Sequence, residues 1–580
     1  MSNVLNDFLK MRDFLLNAKS YEEAKKGFKW PEVDTFNWAI DYFDKIAQDN
    51  HTQALIWADE DGLSKTLTFD ELRRKTNQVA NFLEDMGIKK GDRIFVIVEA
   101  IPEVHELTLA LMKIGAVFIP GTTILPAKDI SDRIIRGNVK LLITQDRYME
   151  KMEHISDEAR SNLIGLINIG TIEKDGWINY KTYKNYSEEF TPKEKTKATD
   201  ECYLFFTSGT TAKPKLVIHT HSYPIGHLTT MYWINAKKGD IHYNISAPGW
   251  AKYAWSSIFA PWNAEATIFI FKYEKFEAQT VLKAMEKYSV TSLCAPFSVL
   301  KLLALEDLSK YNLKLRNVVS AGEPLIPEVV KKVEESLGGI PIREGYGQTE
   351  TTALIGNFPG EPRKPLSFGK PAPGFDIAIL DENFNEVKPG EEGQICLKIH
   401  PNRPLGLLAR YDDKEVNEKV FHDKWYQTSD SAYMDEDGYF FFIGRTDDIF
   451  KSLDYRISPF EVESEISEHP AILEVGVVPT LDERDRTVPK AFIVLKPDYR
   501  PSKETALDIF KFIRERMAPY KRPRAIEFLQ EFPKTISAKI MRKELRAYER
   551  EKIKMEAQRG TYEYWESDFK NELNLGKRKI

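Results

Sequence analysis

A chain of 580 residues has room for about three to six compact units, and because large α/β units run long, two or three is the better expectation. Its 42% hydrophobic and 12% aromatic content supports a large packed core and excludes a low-hydrophobicity disordered chain. Lys and Arg number 82 against 88 Asp and Glu, a net −6 spread over both signs, which excludes a basic protein that coats nucleic acid. Three cysteines, Cys202, Cys294 and Cys396, show no CxxC spacing. That argues against a disulfide framework or a structural zinc site and for a reducing compartment. No uncharged apolar run approaches the roughly 20 residues that span a bilayer. The N-terminus mixes charges into its apolar positions, unlike a secretory signal. The expectation is a soluble, cytoplasmic protein with neither a nucleic-acid nor a membrane partner.

The first fifty residues read as amphipathic helices, with Phe8, Met11, Phe14 and Leu15 at helical spacing. From about residue 60, helical stretches (Thr68–Met86, Val104–Ile114) alternate with short apolar runs (Asp92–Glu99, Val139–Thr144) that lack polar alternation. Such runs predict parallel strands covered on both faces, and the same rhythm after residue 200 predicts a second sheet of similar design. Between about 360 and 445, frequent Gly and Pro with short runs such as Phe375–Leu380 and Gln394–Lys398 predict an antiparallel, barrel-like element. Ser458-Pro459-Phe460-Glu461 carries an N-cap hydroxyl, a proline at the first helical position and a glutamate at the third, a helix start with a mechanism. The domain boundary is expected near 446, giving a large domain over 1–446 and a small one over 447–580.

The most informative segment is Thr207-Ser208-Gly209-Thr210-Thr211, followed by Ala212-Lys213-Pro214-Lys215. Four hydroxyls around one glycine, then two lysines, give a loop of donors and ammonium groups suited to a polyphosphate. It is not a Walker A loop: Pro214 stands where that pattern needs glycine, and Leu216 where Ser or Thr should meet magnesium. A second segment, Glu344-Gly345-Tyr346-Gly347-Gln348-Thr349-Glu350, begins like a dinucleotide fingerprint but has Glu350 at the third glycine position. A Thr beside a Glu suits a phosphate oxygen and a hard metal ion held together. Taken singly, each segment also reads as a polar turn.

With Ser320-Ala-Gly-Glu-Pro324, Tyr426-Gln-Thr-Ser-Asp430, Gly444–Asp448, Tyr455-Arg456 and Pro533–Lys539 following in order, the chain resembles the acyl-adenylate-forming superfamily from about residue 55 to 550. Around Gly249-Trp250 and Gly345–Glu350 it looks most like medium-chain acyl-CoA synthetases. The resemblance implies an α/β fold: a large N-terminal domain of two doubly wound sheets plus a small β-barrel, then a small, mobile α+β C-terminal domain. It also implies that Thr207, Ser208, Gly209, Thr210, Thr211 and Lys215 wrap the ATP phosphates. Gly322, Glu323 and Pro324 would line the adenine site, with Glu344, Gly345 and Tyr346 against the base. Gln348 joins the nucleotide contacts, Thr349 meets the α-phosphate and Glu350 holds Mg²⁺. Asp430 would accept the ribose hydroxyls, Arg445 would assist there, and Arg456 would act at the phosphates. Asp447 is the implied hinge and Lys539 the implied catalytic ammonium, between the substrate carboxylate and the α-phosphate.

Four positions depart from family glycines: Ala212, Ser429, Ala538 and Asp454. The first three are tolerable where φ is negative. Asp454 lies with Tyr455 beside the implied CoA tunnel, where a carboxylate narrows the passage or repels a thiolate. The acyl pocket by the same resemblance is walled by Trp250, Ala251, Lys252, Ala321 and Gly347. Acetyl-CoA synthetases carry tryptophan at the last of these, so glycine implies room for a longer or branched chain. Lys252 is expected to snorkel to water or to meet a polar substrate group, and Cys294 to be buried packing. His219 and His221 alternate on an expected strand; without a third ligand a zinc site is disfavoured, and His221 is the one considered for the pocket.

The expectation is therefore an AMP-forming acyl-CoA synthetase using ATP, Mg²⁺ and CoA on a short, medium-chain or branched aliphatic carboxylate. The alternative is an adenylating enzyme that passes its acyl group to a non-CoA acceptor. A silent nucleotide-binding regulator is disfavoured by the retained Lys215, Glu350, Asp430 and Lys539. A homodimer is compatible with the sequence, although no segment announces an interface.

Overall fold

The computed structural model describes residues 3–207, 214–322, 325, 327–446, 448–452, 455–534, 539–555 and 559–573, apart from the side chains of residues 3, 328, 329 and 456. Two sheets organise the large domain. In the first, an 8-stranded sheet, parallel strands Arg93–Ile97, Val117–Gly121, Val139–Gln145, Gly165–Ile169 and Trp177–Asn179 extend to Glu201–Thr207, which turns back antiparallel as Lys215–Thr220. The second, 14-stranded, has a parallel centre that includes Gln53–Asp59, Thr267–Lys272, Ile241–Asn244, Ser292–Cys294, Asn317–Ala321 and Ile342–Tyr346.

The burial pattern explains the layering. Ile94 and Val96 point into one core and Phe95 and Ile97 into another; Ile268 and Ile270 likewise oppose Phe269 and Phe271. Both sheets thus share one central core, and each has a separate outer core, which is why their strands read as continuous apolar runs. The helices Pro102–Ile114 and Tyr223–Ile234 lie in the central core, with every residue from 223 to 234 buried. A helix apolar on all sides has no solvent face to present. At the helix start expected near Thr68, the Thr68 hydroxyl and the Glu71 carboxylate form a capping box.

The antiparallel element hydrogen-bonds onto the second sheet through Ile355–Gly356 and Ser367–Pro371. It continues through Phe440–Arg445, Trp425–Met434, Gly393–Lys398 and Ile377–Leu380. From Ile457 to Leu573 a separate core forms under the 4-stranded sheet Ile472–Leu481, Thr487–Leu495, Ala525–Phe528 and Glu563–Trp565, with helices Pro459–Ser467 and Lys503–Arg516. Ser458 caps the first of these helices through the Glu461 amide. Lys490, fully buried there, is met by Glu527, Glu549 and Glu563 at 2.7, 2.7 and 3.1 Å, so its charge is compensated rather than stranded. Among the described residues no helix is long and apolar enough to cross a membrane.

Candidate active site

The candidate residues gather at the C-terminal ends of the parallel strands, where open α/β sheets leave a crevice for ligands. Thr207 and Lys215 face each other across the antiparallel pair 201–207 and 215–220, which bounds the hydroxyl-rich segment on both sides. Ser208, Gly209, Thr210 and Thr211 lie outside the described residues, as do Glu323, Pro324, Asp447, Asp454, Ala212 and Ala538; of Arg456 only the backbone is described.

Asp430 is the centre of the best-defined cluster. It sits on the strand 425–434, is 5% exposed, and is paired in register with Arg445. Its Oδ2 accepts from Tyr346 Oη and from Gln348 Nε2, both at 2.6 Å; Gln348 Nε2 also donates to the Thr428 carbonyl, and Tyr426 Oη donates to Gln348 Oε1. Arg445 stands 3.7 Å from Oδ1. Burial raises the Asp430 carboxyl, and Arg445, Tyr346, Gln348 and the charge of Lys539 oppose that rise. Lys539 is exposed and carried by the small domain, and its charge is the smallest of these influences that favour the ionised Asp430 carboxylate. The loop before it is closed by a bridge between Lys534 and Ile540.

A second cluster surrounds Glu350. Tyr411 Oη donates to its Oε1 at 2.7 Å, and the Tyr411 ring lies 5.5 Å from the Lys215 ammonium. Burial raises the Glu350 carboxyl, opposed by the Tyr411 bond and the charges of Lys215 and Arg445. Tyr411 comes from a two-residue strand, Arg410–Tyr411, paired with the strand after the phosphate loop. It thereby ties the loop lysine to the Glu350 carboxylate. A half-buried carboxylate whose tyrosine partner lies against the Lys215 ammonium fits Mg²⁺, a hard cation that usually takes one or two carboxylates plus substrate phosphates. Among the described residues no cluster of three or more His, Cys, Asp or Glu forms a self-contained metal site.

Near the expected base position, loss of hydration pushes the Glu344 carboxyl up to about 8. Its backbone is fixed by Trp233 Nε1, which donates to its carbonyl, and by Asn357 Oδ1, which accepts from its amide. Gly345 packs against the Trp233 ring, where a Cβ would meet the indole at 2.4 Å, and Gly322 has φ +97° at the end of the strand 317–321. Tyr455 is 50% exposed and stacks on Tyr520 at 4.3 Å. The short hairpin Phe450–Ser452 and Tyr455–Ile457 pairs Ser452 with Tyr455 across the 453–454 connection.

Lys252 Nζ donates to the Ala321 carbonyl at 2.9 Å and links two of the expected walls, while the half-buried ammonium keeps further donors. Two pocket expectations need correction. His219, not His221, reaches the site: its Nε2–H donates to the Thr349 carbonyl at 2.7 Å, while His221 lies among Asp200 and Lys90 at the far end of the strand. Burial lowers both imidazoles to about 4, so both are neutral at pH 7. The space beside Gly347 is not open, since Trp255 and the Thr352 carbonyl occupy it. Ser429, expected to be tolerable with negative φ, instead has φ +61°. Ala251 and Ala321 are buried and Trp250 caps the helix Ala251–Ala254. Cys202, Cys294 and Cys396 are buried free thiols.

The Asp430 cluster and the Glu350–Lys215 pair that Tyr411 joins are built from residues of the ordered motifs, and family comparison says what kind of chain carries them. The model of the AMP-binding enzyme matches residues 43–402, and that of the AMP-binding enzyme C-terminal domain matches 461–539. The chain belongs to the AMP-binding enzyme family. Within it, the chain is 39% identical over 546 residues to the mitochondrial acyl-coenzyme A synthetase ACSM3 of Mus musculus, covering 92% of this chain and 94% of that one. It is 41% identical over 547 residues to 4-hydroxybutyrate–CoA ligase 1 of Metallosphaera sedula, covering 93% and 95%. The crystal structure of the Brucella canis acyl-CoA synthetase superposes with a TM-score of 0.70 at 30% identity, covering 93% of this chain and 99% of that one. Tyr411, His219 and Trp255, which meet Glu350, Thr349 and Gly347, were not legible in the sequence, because none sits in a motif and each reaches its neighbour only through pairing or packing.

Proposed function

We propose that this AMP-forming acyl-CoA synthetase joins a short- to medium-chain carboxylate to ATP, releasing pyrophosphate, and then passes the acyl group from acyl-AMP to CoA. The observation that carries the reading is the Asp430 cluster. A buried carboxylate, held by Tyr346 and Gln348 and flanked by Arg445, feels the charge of a lysine from the other domain. In the first step a carboxylate oxygen attacks the α-phosphorus and pyrophosphate leaves; in the second a CoA thiolate attacks the acyl carbon and AMP leaves.

Each side chain has a physical task. Asp430 presents acceptors to two ribose hydroxyls. Lys215, Thr207 and the loop between them offset phosphate charge, and Lys539 offsets repulsion between two anions as they meet. Glu350, oriented by Tyr411, would hold Mg²⁺, which supplies charge neutralisation on the phosphates when bound. The small domain from 447 onward would turn about Asp447 to exchange Lys539 for a thiol passage bordered by Asp454 and Tyr455. The buried free thiols suit a reducing, cytoplasmic setting. The relative named for 4-hydroxybutyrate supports including short hydroxy acids among the substrates.

The test is pyrophosphate release and acyl-CoA formation with ATP, Mg²⁺ and carboxylates from two to ten carbons, 4-hydroxybutyrate included, with and without CoA. Chain-length-dependent release with thioester product is expected. Release without thioester would transfer the second step to another acceptor, and no release with any acid would overturn the reading.

A further inference from the structure

Pro214 and Lys215 close the hydroxyl-rich segment on its lysine side, and the helix Ala127–Arg136 is hydrogen-bonded to the first of them. Arg136, the last residue of that helix, donates from Nη2 to the Pro214 carbonyl at 2.8 Å. Its Nη1 donates to Asp132 Oδ2 at 3.2 Å, one helical turn earlier. A carbonyl and a carboxylate thus hold the two arms of one planar guanidinium, which leaves it little freedom to turn. The same helix packs on the strands that flank the segment. Arg133, on its buried face, stands 5.5 Å from the centroid of the Phe206 ring, and Ile130 and Ile134 share a core with Leu216. Phe206 and Leu216 are register partners, one step inside the pair Thr207–Lys215.

We propose that Arg136 is a positioning residue for nucleotide binding: it fixes the Pro214–Lys215 peptide and so sets Lys215 for the outer phosphates of ATP. The inference rests on the phosphate role proposed above for Thr207–Lys215, and it adds a residue that belongs to none of the ordered motifs. Proline has a fixed φ and no N–H, so its carbonyl is the one backbone group by which it can be held. That carbonyl lies in the same planar peptide unit as the Lys215 amide. Holding its oxygen orients the plane and, with it, the point from which the Lys215 side chain departs. The Lys215 ammonium is thereby kept 5.5 Å from the Tyr411 ring and close enough to Glu350 to favour its ionised form. A cation placed in advance offsets phosphate charge without reorganisation at the moment of reaction. Arg136 is itself half-buried and shares its charge with Asp132, so it acts through the position of Lys215 rather than through its own field.

The ratio of ATP to AMP affinity tests this, measured by isothermal titration on the full chain with Mg²⁺ and without a carboxylate, so that no turnover intervenes. The two nucleotides share base, ribose and α-phosphate and differ only in the phosphates assigned to this segment. Arg136→Met keeps the aliphatic stem and removes the donors. It is expected to lose about tenfold in ATP affinity, the equivalent of one hydrogen bond, while AMP affinity stays within about twofold. Arg136→Lys cannot engage both arms at once; it gives an intermediate loss and decides the matter alone should the methionine variant fail to fold. Lys215→Ala is the control for the phosphate reading and is expected to lower the ratio. An unchanged ratio in the Arg136 variants beside a lowered one in Lys215→Ala would overturn the positioning role and leave the phosphate reading intact. Equal loss of ATP and AMP binding in the Arg136 variants would overturn it too, since the residue would then serve the fold alone. An unchanged ratio in all of them would overturn the phosphate reading, and the positioning role with it.

Discussion

At the scale of single residues, the site is a set of carboxyl groups whose ionisation the fold resists and then partly restores. Glu344 illustrates the first half: dehydration raises its carboxyl to about 8, so it is neutral below that pH and charged above it. If it lies against the adenine, a base that dehydrates it further, ATP affinity falls as pH rises through about 8. Glu344→Gln, which cannot ionise, flattens that dependence, and titration of a fluorescent ATP analogue between pH 6.5 and 9.5 checks it. Glu350 illustrates the second half, because Tyr411 Oη opposes the effect of burial with one hydrogen bond. Tyr411→Phe keeps the ring over Lys215 and removes only that bond. The expected result is a loss of about 10–100-fold in Mg²⁺ affinity or activity, the usual cost of losing a group that orients a metal ligand. A magnesium titration of ATP binding, rather than turnover alone, separates this from general damage. Neither Tyr411 nor His219 could be chosen from sequence as a partner of Glu350 or Thr349. Lys215, Glu350 and Asp430 could, because their motifs fix residue type and spacing together.

At the scale of elements, the apolar runs Arg93–Ile97 and Val139–Gln145 announced buried parallel strands, since both faces of each strand meet a core. The side chain beside Gly347 was not legible for a related reason: Trp255 opens a π-helical turn, and a turn that departs from helical period leaves no periodic signal in sequence. The strand 425–434 shows a different limit. Ser429, one residue before the ribose-type aspartate, takes the left-handed conformation, and its carbonyl accepts from the Thr446 amide at 3.0 Å. A side chain there costs roughly 1–2 kcal/mol that glycine avoids. Ser429→Gly is expected to stabilise the large domain by about 1 kcal/mol after the entropy of the unfolded glycine is counted. An upward shift of the urea midpoint at unchanged slope measures it; a downward shift would mean that the serine hydroxyl holds something the backbone does not reveal.

At the scale of the whole molecule, described residues of the two domains meet on both sides of position 447. The Ser458 hydroxyl donates to the Ile443 carbonyl, the rings of Phe442 and Phe460 lie 5.5 Å apart, and Lys539 acts on Asp430. Thr446 is bonded to the large domain through Ser429, whereas Asp448 accepts from Arg546 of the small domain's last helix at 2.6 Å. The flanks of position 447 are thus anchored to different bodies. The amides of Asp448 and Ile449 both donate to the Arg445 carbonyl, and these are the bonds the proposed rotation would have to release. That arrangement makes the role of Lys539 separable from the second half-reaction. On the proposed reading its ammonium is useful only while it faces the nucleotide, and it contributes nothing to thiol attack once the small domain has turned. Lys539→Ala should therefore slow pyrophosphate release by on the order of 10²–10³, the usual cost of removing one charge-stabilising group. It should leave the rate of acyl-CoA formation from supplied acyl-AMP within a few-fold of the natural enzyme. Quenched-flow measurement of the two half-reactions decides it: equal loss in both would mean that Lys539 supports the fold or the domain contact rather than the attack on the α-phosphorus.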